Sequence, residues 1–125
     1  MKHLEVAVAW ILRGERGFLQ RRDLSSRSFP GHWEFPGGRL EPGEVAHDAL
    51  YRELEEELRW TPAAVQELPS LEFRYPEGAV RLHPFRCEGE GLLHTPLAWG
   101  WFLPGEARRL TLPEASRVLL DSLGG

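Results

Sequence analysis

The stretch GGRLEPGEVAHDALYRELEEELRW, Gly37 to Trp60, decides the fold of this 125-residue chain. It holds six glutamates (Glu41, Glu44, Glu53, Glu55, Glu56 and Glu57) and one aspartate, Asp48. From Glu44 to about Arg59 it carries strong helix formers and no Gly, Pro or Ser, which predicts a helix that Thr61-Pro62 ends. Counted from Glu53, Glu56 and Glu57 fall at i+3 and i+4, so three carboxylates share one face. Leu50, Leu54 and Leu58 repeat every four residues and form an apolar stripe on a neighbouring face. Such a helix packs by its leucines and holds its carboxylates at the edge of the core. Arg52 reaches Glu56 at i+4, but one guanidinium does not neutralise three acids. A Glu-rich face alone most often means only a solvated surface. The functional reading is a divalent-cation site. Oxygen donors without His or Cys suit Mg²⁺ or Mn²⁺, ions that work on phosphates. Gly37-Gly38 and Gly43 frame the loop into the helix, where the backbone can approach a ligand closely.

Working outward, residues 3–13 are apolar after a polar start and predict a central strand buried on both faces. The turn at 14–17 returns the chain as a strand over 18–22. A polar, Ser-rich loop spans 23–32, followed by a short extended piece at 33–35 that Pro36-Gly37-Gly38 stops. Beyond the helix, strands are predicted over 68–75, 79–87 and 97–103, the first two joined by Pro76-Glu77-Gly78. Pro84 inside the second predicts an edge position or a bulge. A second helix is expected over 113–123, with proline at its first turn. The order strands, helix, strands, helix predicts an α/β (α+β) domain over 1–125, with a mixed sheet covered by helices.

The net charge of −4 disfavours a nucleic-acid polymer as partner, because such binders carry a basic footprint, but leaves a mononucleotide open. The single Cys87 excludes an internal disulfide and a thiolate metal cluster, and fits a reducing, cytoplasmic setting. No apolar run of about 18 residues predicts a membrane span, and the opening MKHLEVAVAWILR runs on as a strand rather than a leader. The absence of Asn and the ten prolines hint at a thermophilic source, although the scarcity of lysine does not.

The decisive stretch resembles the Nudix box, a glycine, five residues, Glu, seven residues, then Arg-Glu-hydrophobic-any-Glu-Glu-any-Gly-hydrophobic. Gly38, Glu44 and Arg52-Glu53-Leu54-Glu55-Glu56-Glu57 match it; the closing glycine is replaced by Arg59, followed by Trp60. A changed helix exit is expected there, not a lost metal site. LEVAVAWIL, Arg21-Arg22, WEFPGGRLEPGE and LEFRYPEG extend the resemblance toward the MutT-like branch. The resemblance implies a Nudix-type α/β/α sandwich and an enzyme that cleaves a nucleoside diphosphate linked to a further group, with Mg²⁺ (or Mn²⁺). MutT-type members release a nucleoside monophosphate and pyrophosphate, the best known from 8-oxo-dGTP. It implies metal ligands at Glu53, Glu56, Glu57 and the Gly37 carbonyl, a general base at Glu53 or else Glu56, and Arg52 orienting a carboxylate with help from Glu44. It further implies Arg21 or Arg22 on phosphate, Phe35, Leu4 and Val6 lining a base pocket, and Tyr75 or Trp33 stacking. A small-molecule nucleotide is the expected partner, for a monomer or homodimer. Two departures concern the substrate. No Asn is available near the last helix, where Glu114 or Ser116 would have to read the base; and the 91–98 segment has no acid, leaving His94 as the loop proton acceptor. ADP-ribose, dinucleoside polyphosphates and a sensing module without chemistry are the alternative readings.

Overall fold

The computed structural model describes residues 2–123. Strand β1 (Lys2–Arg13) turns through Gly14-Glu15 into β2 (Arg16–Arg21), with Arg13 opposite Arg16. The loop over 23–32 leads to β3 (Trp33–Glu34) and β4 (Gly37–Arg39), and then to helix α1 (Ala46–Leu58). Strands β5 (Ala64–Glu67), β6 (Leu71–Tyr75), β7 (Gly78–Glu88) and β8 (Ala98–Phe102) follow, then a short α2 (Pro104–Ala107) and α3 (Glu114–Ser122).

The sheet is mixed, as the alternation of elements predicts. β1 lies at its centre, parallel to β7 on one side and antiparallel to β2 and β4 on the other. β2 also pairs with β3 and β8. The alternation along β1 sorts two cores. Ala7, Ala9 and Ile11 pack with Leu50, Leu54 and Leu58 of α1, whereas Val8 and Trp10 pack with Leu119 and Leu120 of α3. One helix therefore covers each face, giving an α/β/α sandwich. No helix is long and apolar enough to cross a membrane.

Three local expectations need correction, and two short elements had no forecast. Gly37-Gly38 does not simply stop an extended piece: it forms β4, with Gly37 opposite Val8 and Gly38 opposite Ala7. β5 and α2 lacked a signal, because AVQE and PGEA are too short and polar to show a period. Pro84 does not lie on a sheet edge. It sits in β7 between β1 and the β5–β6 run, where pairing breaks between Leu82 and Phe85. Residues 68–70 face only His83 and Pro84 there, so the alternative of a bulge describes the site, and the missing N–H falls in the gap. Finally, the exit of α1 is not changed by the loss of a glycine. Arg59 caps the helix at φ 50° and ψ 45°, donating its N–H to the Glu55 carbonyl. It takes up the left-handed conformation that glycine adopts freely, at a cost of about 1 kcal/mol.

Candidate active site

The carboxylates of α1 meet β4 at its two glycines. Gly37 has φ 145°, and its N–H donates to Glu57 Oε2 at 2.9 Å. Gly38 has no room for a side chain, since a Cβ there would overlap the Glu53 carboxylate. The helix reaches the strand this closely because Ala49, Leu50 and Leu54 are buried beneath it. The other oxygen of Glu57 accepts from Gln20 Nε2 at 3.1 Å, and Gln20 Oε1 accepts from Thr95 Oγ1 at 2.9 Å. Gln20 is only 2% exposed, so the relay fixes which way its amide points. Burial pushes the Glu57 carboxyl up to about 7, reinforced by the charges of Glu53 and Glu34 and opposed by the bonds from Gly37 and Gln20.

Arg52 organises the remaining acids. Its guanidinium grips Glu44 with two bonds of 2.8 Å, and reaches Glu53 at 2.8 Å and Glu56 at 3.3 Å. It also donates to the Arg39 carbonyl at 3.0 Å, tying α1 to β4. Hydrogen bonding to Glu44, then to Glu53, pushes Arg52 above its ordinary value; in return Arg52 holds the Glu44 carboxyl down at about 2. Glu44 also accepts from the Glu41 N–H at 2.9 Å, which locks the loop into the helix. Glu56 points outward, its side chain 59% exposed. Among the described residues, no three His, Cys, Asp or Glu side chains close a ready metal cage. Arg52 accounts for this, because it gathers Glu53 and Glu56 to itself. The donor set nevertheless fits a hard divalent cation: it is all oxygen, and Glu53 lies beside a partly buried Glu57 whose charge is disfavoured until a cation balances it.

On the α3 side of the same glycines lies a cleft of about 330 Å³. Val6, Val8, Phe35 and Leu82 supply apolar walls, and Arg22, Glu34 and Ser116 supply polar ones. The structure thus brings Val6, Phe35 and Arg22 together with Gly37. Leu4 and Tyr75 are not in this cleft but line an adjoining hollow of about 270 Å³; Phe29 borders both. Trp33 packs edge-on against Phe102 in the core, at 5.2 Å between rings. Arg22 is held by Glu34 at 3.2 Å and by the Ser28 carbonyl at 2.6 Å, while Arg21 is exposed and bonds the Gly31 carbonyl. Burial raises Glu34 despite Arg22 beside it. His94 lines a third concavity together with Glu56 and Glu57. Sequence reasoning missed Gln20, Thr95 and Glu34. For Gln20 a signal existed, a polar residue at the end of the apolar run Phe18-Leu19.

A family model described as the NUDIX domain matches residues 1–123, and the chain belongs to this family. It is 37% identical over 95 residues to the 8-oxo-dGTP diphosphatase of Escherichia coli (strain K12), a match covering 72% of each chain. It is 33% identical to the CTP pyrophosphohydrolase of the same organism, over 98% of this chain and 92% of that one. The solution structure of the E. coli ORF135 protein superposes with a TM-score of 0.85 at 33% identity, covering 99% and 90%. A MutT structure from a study of Aliivibrio salmonicida and Vibrio cholerae shares the fold, with a TM-score of 0.79 at 24% identity over 98% and 97%. The chain is accordingly a Nudix hydrolase acting on nucleotide pyrophosphate bonds. Nudix hydrolases act on small nucleotide substrates and generally need divalent metal ions.

Proposed function

We propose that this protein is a cytoplasmic MutT-like enzyme, dependent on Mg²⁺ or Mn²⁺, that converts a nucleoside triphosphate to the monophosphate and pyrophosphate and so clears unwanted nucleotides from the pool. 8-oxo-dGTP is the leading substrate, with other (d)NTPs, CTP among them, next. The observation that carries this reading is the Gly37 peptide: its N–H holds Glu57, while the same residue lines the apolar cleft. A nucleoside in that cleft has its phosphates at the carboxylate face.

Glu53, Glu56 and Glu57, with the Gly37 carbonyl, would hold the ion. When bound, it supplies positive charge against the phosphoryl oxygens. Glu53 takes the proton of the attacking water, with Glu56 the second candidate. A bond forms between the water oxygen and one phosphorus of the α–β bridge, the bridging P–O bond at that phosphorus breaks, and its electron pair stays on the bridging oxygen, giving the monophosphate and pyrophosphate. Arg52, braced by Glu44, fixes the Glu53 carboxylate for that task. Val6 and Phe35 enclose the base, Arg22 steadies the loop around it and faces the phosphates, and Glu34 or Ser116 reads the polar edge in place of an Asn. Leu4 and Tyr75 border the adjoining hollow, where a larger nucleotide such as ADP-ribose or a dinucleoside polyphosphate would extend.

The test is a substrate panel with Mg²⁺ or Mn²⁺, read as pyrophosphate or phosphate release. It contains canonical and 8-oxo triphosphates, ADP-ribose and a dinucleoside polyphosphate, with Glu53→Gln as control. Hydrolysis led by a triphosphate supports the reading. Preference for ADP-ribose or a dinucleoside polyphosphate overturns it.

A further inference from the structure

Strand β6 is a sheet edge that its own chain leaves open. β7 pairs with it on one side, and among the described residues no strand or loop backbone bonds it on the other. Such an edge presents a row of free N–H and C=O groups that accepts another strand unless something blunts it. β6 has no proline and no bulge over its five residues, Leu71–Tyr75.

The hairpin decides which backbone groups are free. Pro76-Glu77 is a two-residue turn, so Tyr75 and Gly78 close it as a hydrogen-bonded pair. Alternation along the ladder then turns the amides of Leu71, Phe73 and Tyr75 toward β7, and those of Glu72 and Arg74 toward the open edge. Side chains alternate likewise. Leu71 packs on the α3 core, so Phe73 and Tyr75 share that face, half-buried, with their rings 5.0 Å apart. Glu72 and Arg74 stand on the other face, 2.9 Å from each other, and the Arg74 side chain is 71% exposed.

A strand with this pattern is complementary to itself. Antiparallel pairing about Phe73 overlaps all five residues. It sets Glu72 opposite Arg74 of the second copy, and Arg74 opposite Glu72 of the second copy. These are the positions whose amides are free, so about four backbone hydrogen bonds form. On the α3 face the same register brings Phe73 against Phe73 and Leu71 against Tyr75, which are favourable cross-strand pairs. Sliding the two-fold onto Glu72 or onto Arg74 would set like charges opposite each other and shorten the overlap. Charge thus selects one register.

We infer that β6 is an interface for a second copy of this chain, joined edge to edge by an antiparallel pair centred on Phe73. The contact is isologous, so it closes as a dimer and consumes the open edge of both copies. No residue of β6 lines the nucleoside cleft, and the pairing is independent of which nucleotide is cleaved.

The experiment is sedimentation equilibrium on the full chain, with wild type compared with Arg74→Glu, Glu72→Arg and the double exchange. Wild type is expected to pass from monomer to dimer as concentration rises. Either single change makes both charged pairs repulsive and should weaken the dimer about tenfold or more. The double exchange restores opposite charges and should recover the dimer, and an equimolar mixture of the two single variants should dimerise better than either alone. Glu72 also holds Arg81 within the chain, so amide hydrogen exchange on wild type serves where a single variant unfolds. The Glu72 and Arg74 N–H groups should become protected as the dimer forms. Wild type that stays monomeric up to about 1 mM would overturn the inference. So would a dimer whose affinity in both single variants stays within twofold of wild type, or one in which those two amides still exchange freely.

Discussion

Gly38 has no room for a side chain, because the Glu53 carboxylate occupies the space where it would stand. Gly38→Ala must push Glu53 away from β4. Turnover is expected to fall about a hundredfold, since an ångström of misplacement at a reacting group costs that much. Steady-state kinetics on a purified, folded variant checks this; activity within a few-fold of wild type would show that Glu53 works from elsewhere. Glu53→Gln makes the complementary test. It removes the proposed base and one charge from a crowded face, so kcat should drop by orders of magnitude while Tm holds or rises. A variant that unfolds would point to a structural role for the carboxylate instead.

Helix α1 depends on its leucine stripe. Leu50, Leu54 and Leu58 are fully buried against Ala7, Ala9 and Ile11, so Leu54→Ala opens a cavity in the centre of that contact. It should cost about 3 kcal/mol in urea unfolding. A loss below about 1 kcal/mol would mean that α1 is held chiefly by Arg52 and its ion pairs. At this scale the sequence was most legible where a period repeats. The leucine stripe shows one; the apolar run over 3–13 and the proline at the start of the second helix are signals of another kind, and the structure has all three elements. It was least legible at β4, β5 and α2, each three or four residues long. β4 and β5 exist because a neighbouring strand offers them backbone partners, Val8 for Gly37 and Cys87 for Val65, and no local preference announces that.

For the whole molecule, the acids of the site set how stability depends on pH. Without metal, the folded-state value of Glu57 is raised to about 7 from an ordinary 4.5. The folded protein then binds the extra proton between those values, and stability falls as pH rises through that window, by up to about 3 kcal/mol. Glu44 has the opposite sign. Held at about 2, it contributes stability above its ordinary value that is lost as pH falls toward 2. Urea midpoints in a chelator should therefore be highest near the pH where the two effects cross, in the range of ordinary carboxylates. Added Mg²⁺ should flatten the alkaline side, because it favours ionised Glu57, and Glu57→Gln should remove that side altogether. A chelated wild type as stable at pH 8 as at pH 5 would contradict the raised value.

The sequence by itself determined the helix, its apolar stripe and the carboxylates on its neighbouring face, because three- and four-residue spacing converts directly into direction on a helix. It also determined the two-faced burial of β1 and, through the spacing of Gly38, Glu44, Arg52, Glu53, Glu56 and Glu57, the family. Tertiary structure alone decided that Gln20 and Glu57, 37 residues apart, would meet. It placed Leu4 and Tyr75 in a hollow beside the cleft that holds Val6 and Phe35, and set Pro84 inside the sheet. It also held Arg59 in a backbone conformation that its residue type disfavours. Those outcomes follow from the register between strands and from the seating of α1 on the sheet. Register is a sum over many distant contacts, and no single stretch of chain contains it.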